Sequence, residues 1–417
     1  LAVAESPAGG APTHPVTARF ERTDPGHEGQ VETVRARFAV GCDGAHSAVR
    51  KSLGRALHGE SANQAWGVMD VLAVTDFPDI RIKSAIHSAS EGSVLIIPRE
   101  GGYLVRLYIE LDKLNENERV ASRQITSDRL IAAARRILHP YTLEVKEVAW
   151  WSVYEIGQRL CDKFDDVPEQ EEHASLPRVF IAGDACHTHS AKAGQGMNVS
   201  LQDGWNLAWK LGQVLSGHAP EALLPTYSDE RRVIAKNLID FDKEWSTLMA
   251  TRPEDFASPR ELEDFYIATA EFPAGFMTQY QPSVLTAGAD HQALASGFPL
   301  GKRFKSAEAM RVSDAVRAHL GHHHRADGRY RIYAFSDADG SALNAWAEWM
   351  LHGEDSPLGL FTPPGGDDDA RFDVKLITQQ DYHDVDLLEV SPLFFPRLGP
   401  FRLKSYEKVW AAIPDDD

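Results

Sequence analysis

Asp184 stands just past a short apolar run, Val179–Ala182, that breaks at Gly183. A run of that length bounded by glycine reads as a buried strand. A carboxylate beyond its carboxyl end can accept hydrogen bonds from the hydroxyls of a polyol, and glycine there lets a ligand come close. Further on, Gly194-Gln195-Gly196-Met197-Asn198 opens a long segment with helical spacing. The first N–H groups of a helix and its positive dipole end favour partial negative charge. A polyol joined to a ring edge that becomes anionic on reduction is what a flavin presents. Gly183, Asp184, Gly194, Gln195, Gly196, Met197 and Asn198 are therefore one candidate cofactor-binding set. The same pattern fits an ordinary strand–helix turn of a doubly wound sheet.

A second set lies earlier in the chain. Phe38–Gly44 reads as strand then turn, followed by a short helix over 45–53 with Gly54 as its stop. Asp43 can accept from hydroxyls, Gly44 permits close approach, and Arg50 can offset phosphate charge. Asp-Gly turn chemistry with Arg50 on a solvated face is the plainer alternative. Arg99, Arg106 and Tyr108 fall on neighbouring strand-like runs, and Arg106 and Tyr108, two apart, face the same side.

These residues need elements to hold them. Val16–Glu21 and Val31–Phe38 read as a hairpin, and Gly67–Val74, Ser84–Ser88, Ser93–Pro98 and Tyr103–Leu111 as strands of an antiparallel sheet. Ser127–Leu138 has the spacing of an amphipathic helix. Val145–Gly157 returns to strand character, with Trp150 and Trp151 on opposite faces. In the long helix, Met197, Leu201, Trp205, Ala208, Trp209 and Leu215 recur at helical spacing and are the expected apolar face. A second helix runs to about Leu248, and Leu262–Gln279 reads as a third. Beyond about residue 286, Tyr330–Ser336 and Phe372–Ile377 read as strands flanking a helical run, Ala342–His352.

The 417 residues allow two or three domains, and 43% apolar with 25% charged residues is ordinary for a globular protein. The net charge of −18 argues against non-specific binding to nucleic acid or an anionic membrane. Cys42, Cys161 and Cys186 are too few and scattered for a disulfide framework, so a reducing cytoplasm is the simplest setting. The adjacent His322, His323 and His324, and His187-x-His189, lack the partners that metal-ligand spacing requires, and no metal site is expected. The chain begins at Leu1 and holds no G-x-G-x-x-G, the fingerprint that seats a dinucleotide pyrophosphate. The expectation is that an N-terminal segment carrying that unit is missing.

GDACHTHSAKAGQGMN resembles the second FAD-binding motif of the single-component flavoprotein aromatic hydroxylases, and CDGAHSAVRKSLG resembles their DG motif. The form with His187-Thr188-His189 and Lys192 is similar to the phenol hydroxylase and 3-hydroxybenzoate 4-hydroxylase branch, although Ala191 stands where many relatives have proline and Val233-Ile234-Ala235 departs from a further proline. The resemblance implies an α/β and α+β fold. A Rossmann-like FAD-binding domain (1–58 and 161–285) would carry an inserted antiparallel substrate sheet (59–160), followed by a thioredoxin-like C-terminal domain (286–417). That last domain would be structural or dimer-supporting, with no cysteine after Cys186 for disulfide exchange. The resemblance further implies FAD as cofactor, with Lys192 among the residues that bind it, NADPH or NADH and O2 as co-substrates, a small aromatic substrate and a homodimer.

The chemistry implied is hydroxylation through a flavin hydroperoxide shielded from water. A phenol has a pKa of about 10, so a hydrogen bond or positive field must favour its phenolate. IPREGGYLVRLY resembles the stretch that supplies an active-site Arg and Tyr. By that match Tyr108 would contact both phenol and flavin, and Arg99 and Arg106 would add positive field. Lys83 falls near a pocket lysine of the hydroxybenzoate branch and would attract a benzoate carboxylate, which puts 3-hydroxybenzoate ahead of simple phenols. Two other readings stay open: a related flavin enzyme of other specificity, such as a halogenase, whose W-x-W-x-I-P is missing around Trp150; and a non-catalytic interaction protein.

Overall fold

Two strands of 19 residues each, β5 (Leu57–Thr75) and β9 (Leu143–Cys161), run antiparallel and form the spine of the first part of the chain. They follow β1 (Ala2–Val3), β2 (Val16–Glu21), β3 (Val31–Ala36), β4 (Ala39–Gly41) and the short helix α1 (Ala48–Ser52). Between them lie β6 (Ser84–Ser88), β7 (Gly92–Pro98), β8 (Leu104–Glu110) and helix α2 (Ser127–Leu138). After them come β10 (Val179–Ile181), β11 (His187–Thr188) and the helices α3 (Gly196–Leu215), α4 (Thr226–Ala250) and α5 (Glu261–Thr269). The computed structural model describes all residues except 1, 4–12, 89, 112–124, 169–170, 172–174, 191–194, 252–254, 259, 273, 338–339 and 414–417. It divides into two units, Leu1–Ala289 and Asp290–Asp417.

In the first unit a six-stranded sheet has the order β11-β9-β5-β8-β7-β6, antiparallel throughout. Burial alternates along β8: Val105, Leu107 and Ile109 face a core shared with Met69, Val71, Val94 and Ile96, while Leu104, Arg106, Tyr108 and Glu110 face the other side. Helix α2 covers the apolar side with Leu130, Ala133, Ala134, Ile137 and Leu138, spaced at i, i+3, i+4, i+7 and i+8. Thr126 caps it by accepting from the Arg129 N–H, and Arg135 and Arg136 suit its carboxyl end. Gly67 is the point of closest approach. A Cβ there would lie 2.2 Å from a methyl of Leu130, so only glycine lets the helix seat.

Two expectations from helical spacing need correction. The face of α3 carrying Met197, Leu201 and Trp205 is not the buried one: those side chains are 72%, 63% and 63% exposed, and Ala208 and Leu215 are exposed too. The buried face carries Val199, Asp203, Asn206, Leu207, Lys210 and Val214. Its charged members pair with α4, Asp203 with Arg231 and Lys210 with Glu230, and Asn206 donates to Glu230, so hydrophobic periodicity marks the wrong side. The helix expected over Leu262–Gln279 ends at Thr269, where tight turns closed by the N–H groups of Ala270 and Phe272 replace the helical ladder.

The second unit is built on a mixed sheet of order β13-β12-β18-β15-β14, with β12 (Glu308–Arg311), β13 (Val316–His319), β14 (Tyr330–Phe335), β15 (Phe372–Thr378) and β18 (Val409–Ala412). β14, β15 and β18 are parallel, and α6 (Ser341–His352) and α7 (Pro357–Phe361) lie in the crossover from β14 to β15. A small hairpin, β16 (Arg397–Leu398) and β17 (Leu403–Lys404), precedes β18. The core includes Ala347, Met350, Val374, Leu376, Phe394 and Val409. Among the described residues no helix is long and apolar enough to cross a membrane.

Candidate active site

β4 and β10 pair in parallel, with Ala39, Val40 and Gly41 opposite Val179, Phe180 and Ile181. The Asp43-Gly44 and Gly183-Asp184 turns therefore leave the carboxyl ends of adjacent parallel strands, the place where open α/β sheets bind ligands. Both turns use a left-handed glycine, Gly44 at φ +78° and Gly183 at φ +62°. A Cβ on Gly183 would in addition sit 3.1 Å from the Ser200 hydroxyl. Arg50, buried, ties the two turns together: its guanidinium donates to the Ala185 carbonyl at 2.7 Å and to the Ala45 carbonyl at 2.8 Å. With those bonds Arg50 acts as a brace between the motifs.

The two aspartates differ. Asp43 accepts from the Ser47 hydroxyl (2.5 Å) and from the N–H groups of Ala48 (2.7 Å) and Val49 (3.0 Å), so it caps α1. Burial pushes its carboxyl up, but the bonds from Ser47, Val49 and Ala48 outweigh burial and hold it below the usual carboxylate range. Asp184 is exposed, and among the described residues no side chain or N–H engages its carboxylate. Of the two it is the one free to accept from a ligand.

At the start of α3, Gln195 is the N-cap residue and accepts from the Asn198 amide at 3.2 Å. Met197 and Asn198 are exposed in the first turn. Gly196 is required for a reason the sequence did not show. A Cβ there would lie 2.3 Å from Cε1 of His189, whose ring packs across the helix start. His189 donates its Nδ1–H to the Ser190 carbonyl at 2.8 Å, and burial lowers its pKa. Lys192 and Gly194 lie outside the described residues.

Behind the turn lies a buried polar network that sequence reasoning did not find. Asp203 accepts from Arg231 Nε at 2.7 Å, pairs with His187 Nε2 at 2.7 Å, and receives the Gly183 N–H at 3.3 Å. Arg231 also donates to the Tyr280 hydroxyl at 3.0 Å. Lys210 and Glu230 form a second buried pair at 2.6 Å, and burial pulls the Lys210 ammonium down to about 8. Asp242 receives the Ser190 N–H at 2.9 Å, the Ser190 hydroxyl, and the Gln158 amide at 2.7 Å. The legible signal was Asp203, Asn206 and Lys210 at i, i+3 and i+7, a polar stripe at helical spacing. Cys186, His187 and Asp203 bring ligand-type atoms within 4.8 Å of one another, but Arg231 already neutralises the carboxylate and burial holds the Cys186 thiol well above its usual range.

On the sheet, the structure gives the expected cations partners. Arg106 makes a two-pronged pair with Asp70 of β5 at 2.6 and 2.7 Å, which raises its pKa further, and it lies 5.5 Å from the Trp150 ring centre. Arg99 pairs with Glu100 at 3.0 Å at the β7–β8 turn. Lys83 is exposed, 5.7 Å from the Tyr266 ring centre. Tyr108 sits in a row with Leu95, Val68 and Ser152, and the next row holds Ile97, Arg106, Asp70 and Trp150. Tyr108, Arg106, Ser152 and Trp150 thus share one face of the sheet. Lys83 and Arg99 belong to loops at its margin. The row that joins β11, His187 with Leu160 and His58, is a different part of the same sheet.

Residues 12–242 match the model of an FAD binding domain, and residues 278–417 that of the phenol hydroxylase C-terminal dimerisation domain. The chain is 54% identical over 413 residues to a 3-hydroxybenzoate 4-monooxygenase of Comamonas testosteroni, covering 96% of this chain and 64% of that protein. It is 38% identical over 408 residues to a phenol 2-monooxygenase of Aspergillus fumigatus, covering 97% of this chain and 65% of that one. Among solved structures the aromatic hydroxylase CabE of angucycline biosynthesis superposes with a TM-score of 0.56 at 22% identity, over 86% of this chain and 66% of CabE. That likeness establishes a shared mixed α/β fold.

Proposed function

The chain belongs to the family of FAD-dependent aromatic hydroxylases, and from that premise we propose that the protein binds FAD and uses NADPH or NADH with O2 to hydroxylate a phenolic ring. The observation that carries the reading is the free Asp184 carboxylate at the end of β10, beside the Asp43-Gly44 turn and the open N-terminus of α3. These residues fit a flavin. Asp184 would hold ribityl hydroxyls and the α3 N–H groups would face the pyrimidine edge. The bound flavin supplies the oxygen activation, and the protein's own part is to orient ring and substrate and to exclude water. Tyr108 would hydrogen-bond the substrate hydroxyl and favour its ionised form. Because Arg106 is engaged by Asp70, its field at a phenolate is weakened, and Tyr108 becomes the main group for that role. Lys83, exposed beside Tyr266, remains the proposed partner of a benzoate carboxylate.

The relatives are longer than this chain, and the activity of the whole protein is the proposal. The finer architecture is proposed too: a Rossmann-like FAD-binding part, the β5–β9 sheet as substrate domain, a thioredoxin-like second unit, and a homodimer, which the dimerisation-domain match supports. Among the described residues β4 pairs with β10 alone, and the Met197–Leu201–Trp205 stripe is bare. A further strand–helix unit bearing the pyrophosphate fingerprint would pair with that edge and cover that stripe. This favours a second reading, in which the chain by itself does not retain FAD. Flavin absorbance of the purified chain separates the two. The activity is tested by NADPH oxidation and product analysis with 3-hydroxybenzoate, 4-hydroxybenzoate, phenol and resorcinol. Substrate-stimulated oxidation with a hydroxylated product from 3-hydroxybenzoate is expected, and no product from any of the four removes the proposal.

A further inference from the structure

Two buried carboxylates, on different helices, grip the two ends of the segment that runs from Gly183 to Ser190. Asp203 of α3 holds the Gly183 N–H at its start and the His187 ring further along it. Asp242 of α4 holds both the N–H and the hydroxyl of Ser190 at its end, and the Gln158 amide of β9 with them. Both aspartates are fully buried. Asp203 is neutralised by Arg231, whereas the described partners of Asp242 are neutral donors. A buried carboxylate accepting several such bonds is a rigid anchor, because each donor would be stranded if the segment moved. Between the anchors lie Asp184 and, stacked 6.3 Å apart, the rings of His187 and His189. His189 in turn lies over Gly196 at the start of α3. The helix start and the Asp184 turn are thus set relative to each other by these anchors.

We propose that Asp203 and Asp242 are positioning residues that hold the Gly183–Ser190 segment in the shape that receives the flavin. The inference rests on the reading of Asp184 and the α3 N-terminus as a flavin site. Neither aspartate touches the flavin in this scheme. Each raises the fraction of molecules with a receptive loop, and affinity falls by that fraction when the anchor is lost.

The test uses the full-length protein titrated with FAD, read by flavin fluorescence and by the visible circular dichroism of the bound flavin. Asp242→Asn is the primary variant, since it strands no buried cation, and Ser190→Ala, which removes only the hydroxyl arm, is the milder one. Glu230→Gln is the control: it breaks a buried pair between α3 and α4 without touching the segment. Asp242→Asn should raise the Kd for FAD about tenfold or more and change the dichroism, and Ser190→Ala should do so less. Amide exchange over 183–190 should quicken in both. Glu230→Gln should lower Tm but leave the Kd within about twofold. An Asp242→Asn Kd within twofold of the parent's, or a Glu230→Gln Kd raised as much, overturns the inference and leaves the flavin site standing. Failure of the parent protein to bind FAD overturns both, with the amide exchange showing whether the anchors themselves hold.

Discussion

At the scale of single residues, the two aspartates that end parallel strands have separate fates, and the separation can be measured. Asp43 is bound into the cap of α1, while Asp184 is unengaged. Asp184→Ala should weaken FAD binding by roughly 1–3 kcal/mol, the cost of leaving hydroxyl donors without an acceptor, with little change in Tm. An unchanged Kd in a flavin titration would move the ribityl contact elsewhere. Asp165 offers a prediction about pH. Burial, the largest influence, pushes its carboxyl from 3.8 up to about 6, against the opposing field of Lys163 and the Val167 N–H. A folded-state pKa above the unfolded one means that the group's stabilisation is full below about pH 4 and is lost as pH rises through 6. Taking the pH from 7 to 4 should therefore favour the parent over Asp165→Asn by up to about 3 kcal/mol, at about 1.4 kcal/mol per pKa unit. Urea unfolding of both proteins across that range is the check, and parallel curves would refute it.

At the scale of elements, two glycines set how helices seat, and for neither is backbone freedom the reason. Gly67 makes room for Leu130 of α2 on the sheet, and Gly196 makes room for His189 at the start of α3. Leu130→Ala, fully buried under the sheet, should cost roughly 2–5 kcal/mol by transfer and cavity terms. Denaturant unfolding measures this, and a loss below 1 kcal/mol would mean that the sheet closes over the gap. Gly196→Ala should push the His189 ring aside and cost about 1–3 kcal/mol. The double variant Gly196→Ala/His189→Ala should recover most of that loss. Absence of recovery would show that the helix start, and not the ring, dislikes a side chain.

At the scale of the whole molecule, the two units are held by different means. The first pairs buried charges between α3 and α4, Asp203 with Arg231 and Lys210 with Glu230, behind the strand ends. The second encloses Asp373 between Lys375 and Lys408, with Lys408 also 2.9 Å from Asp369. Burial is the largest influence on Asp373 and pushes it up, but the bonds from Lys375 and Lys408 prevail and hold it below the usual carboxylate range. The match of residues 278–417 to a dimerisation domain leads to an expectation for the intact protein. Sedimentation equilibrium should give twice the chain mass at micromolar concentration, and a monomer at that concentration would contradict the proposed dimer.

The sequence by itself determined the elements whose signal is local. Ser127–Leu138 was legible because its apolar residues repeat at helical spacing, and β6, β7, β8, β14 and β15 because short β-rich runs were bounded by turn residues. The Gly183-Asp184 and Asp43-Gly44 turns were legible because left-handed glycines beside a carboxylate leave a mark in sequence. What only the tertiary structure decided depends on partners distant in the chain. Arg106 reads as a free cation until Asp70 lies opposite it on the next strand, and the bond from Arg50 to the Ala185 carbonyl, which joins the two turns, cannot be read from either motif alone. The buried face of α3 could not be read from hydrophobicity. Its Asp203, Asn206 and Lys210 are tolerated inside only because Arg231 and Glu230 of α4 come to meet them. Burial of a charge is fixed by what neutralises it, and that neighbour is chosen by the fold.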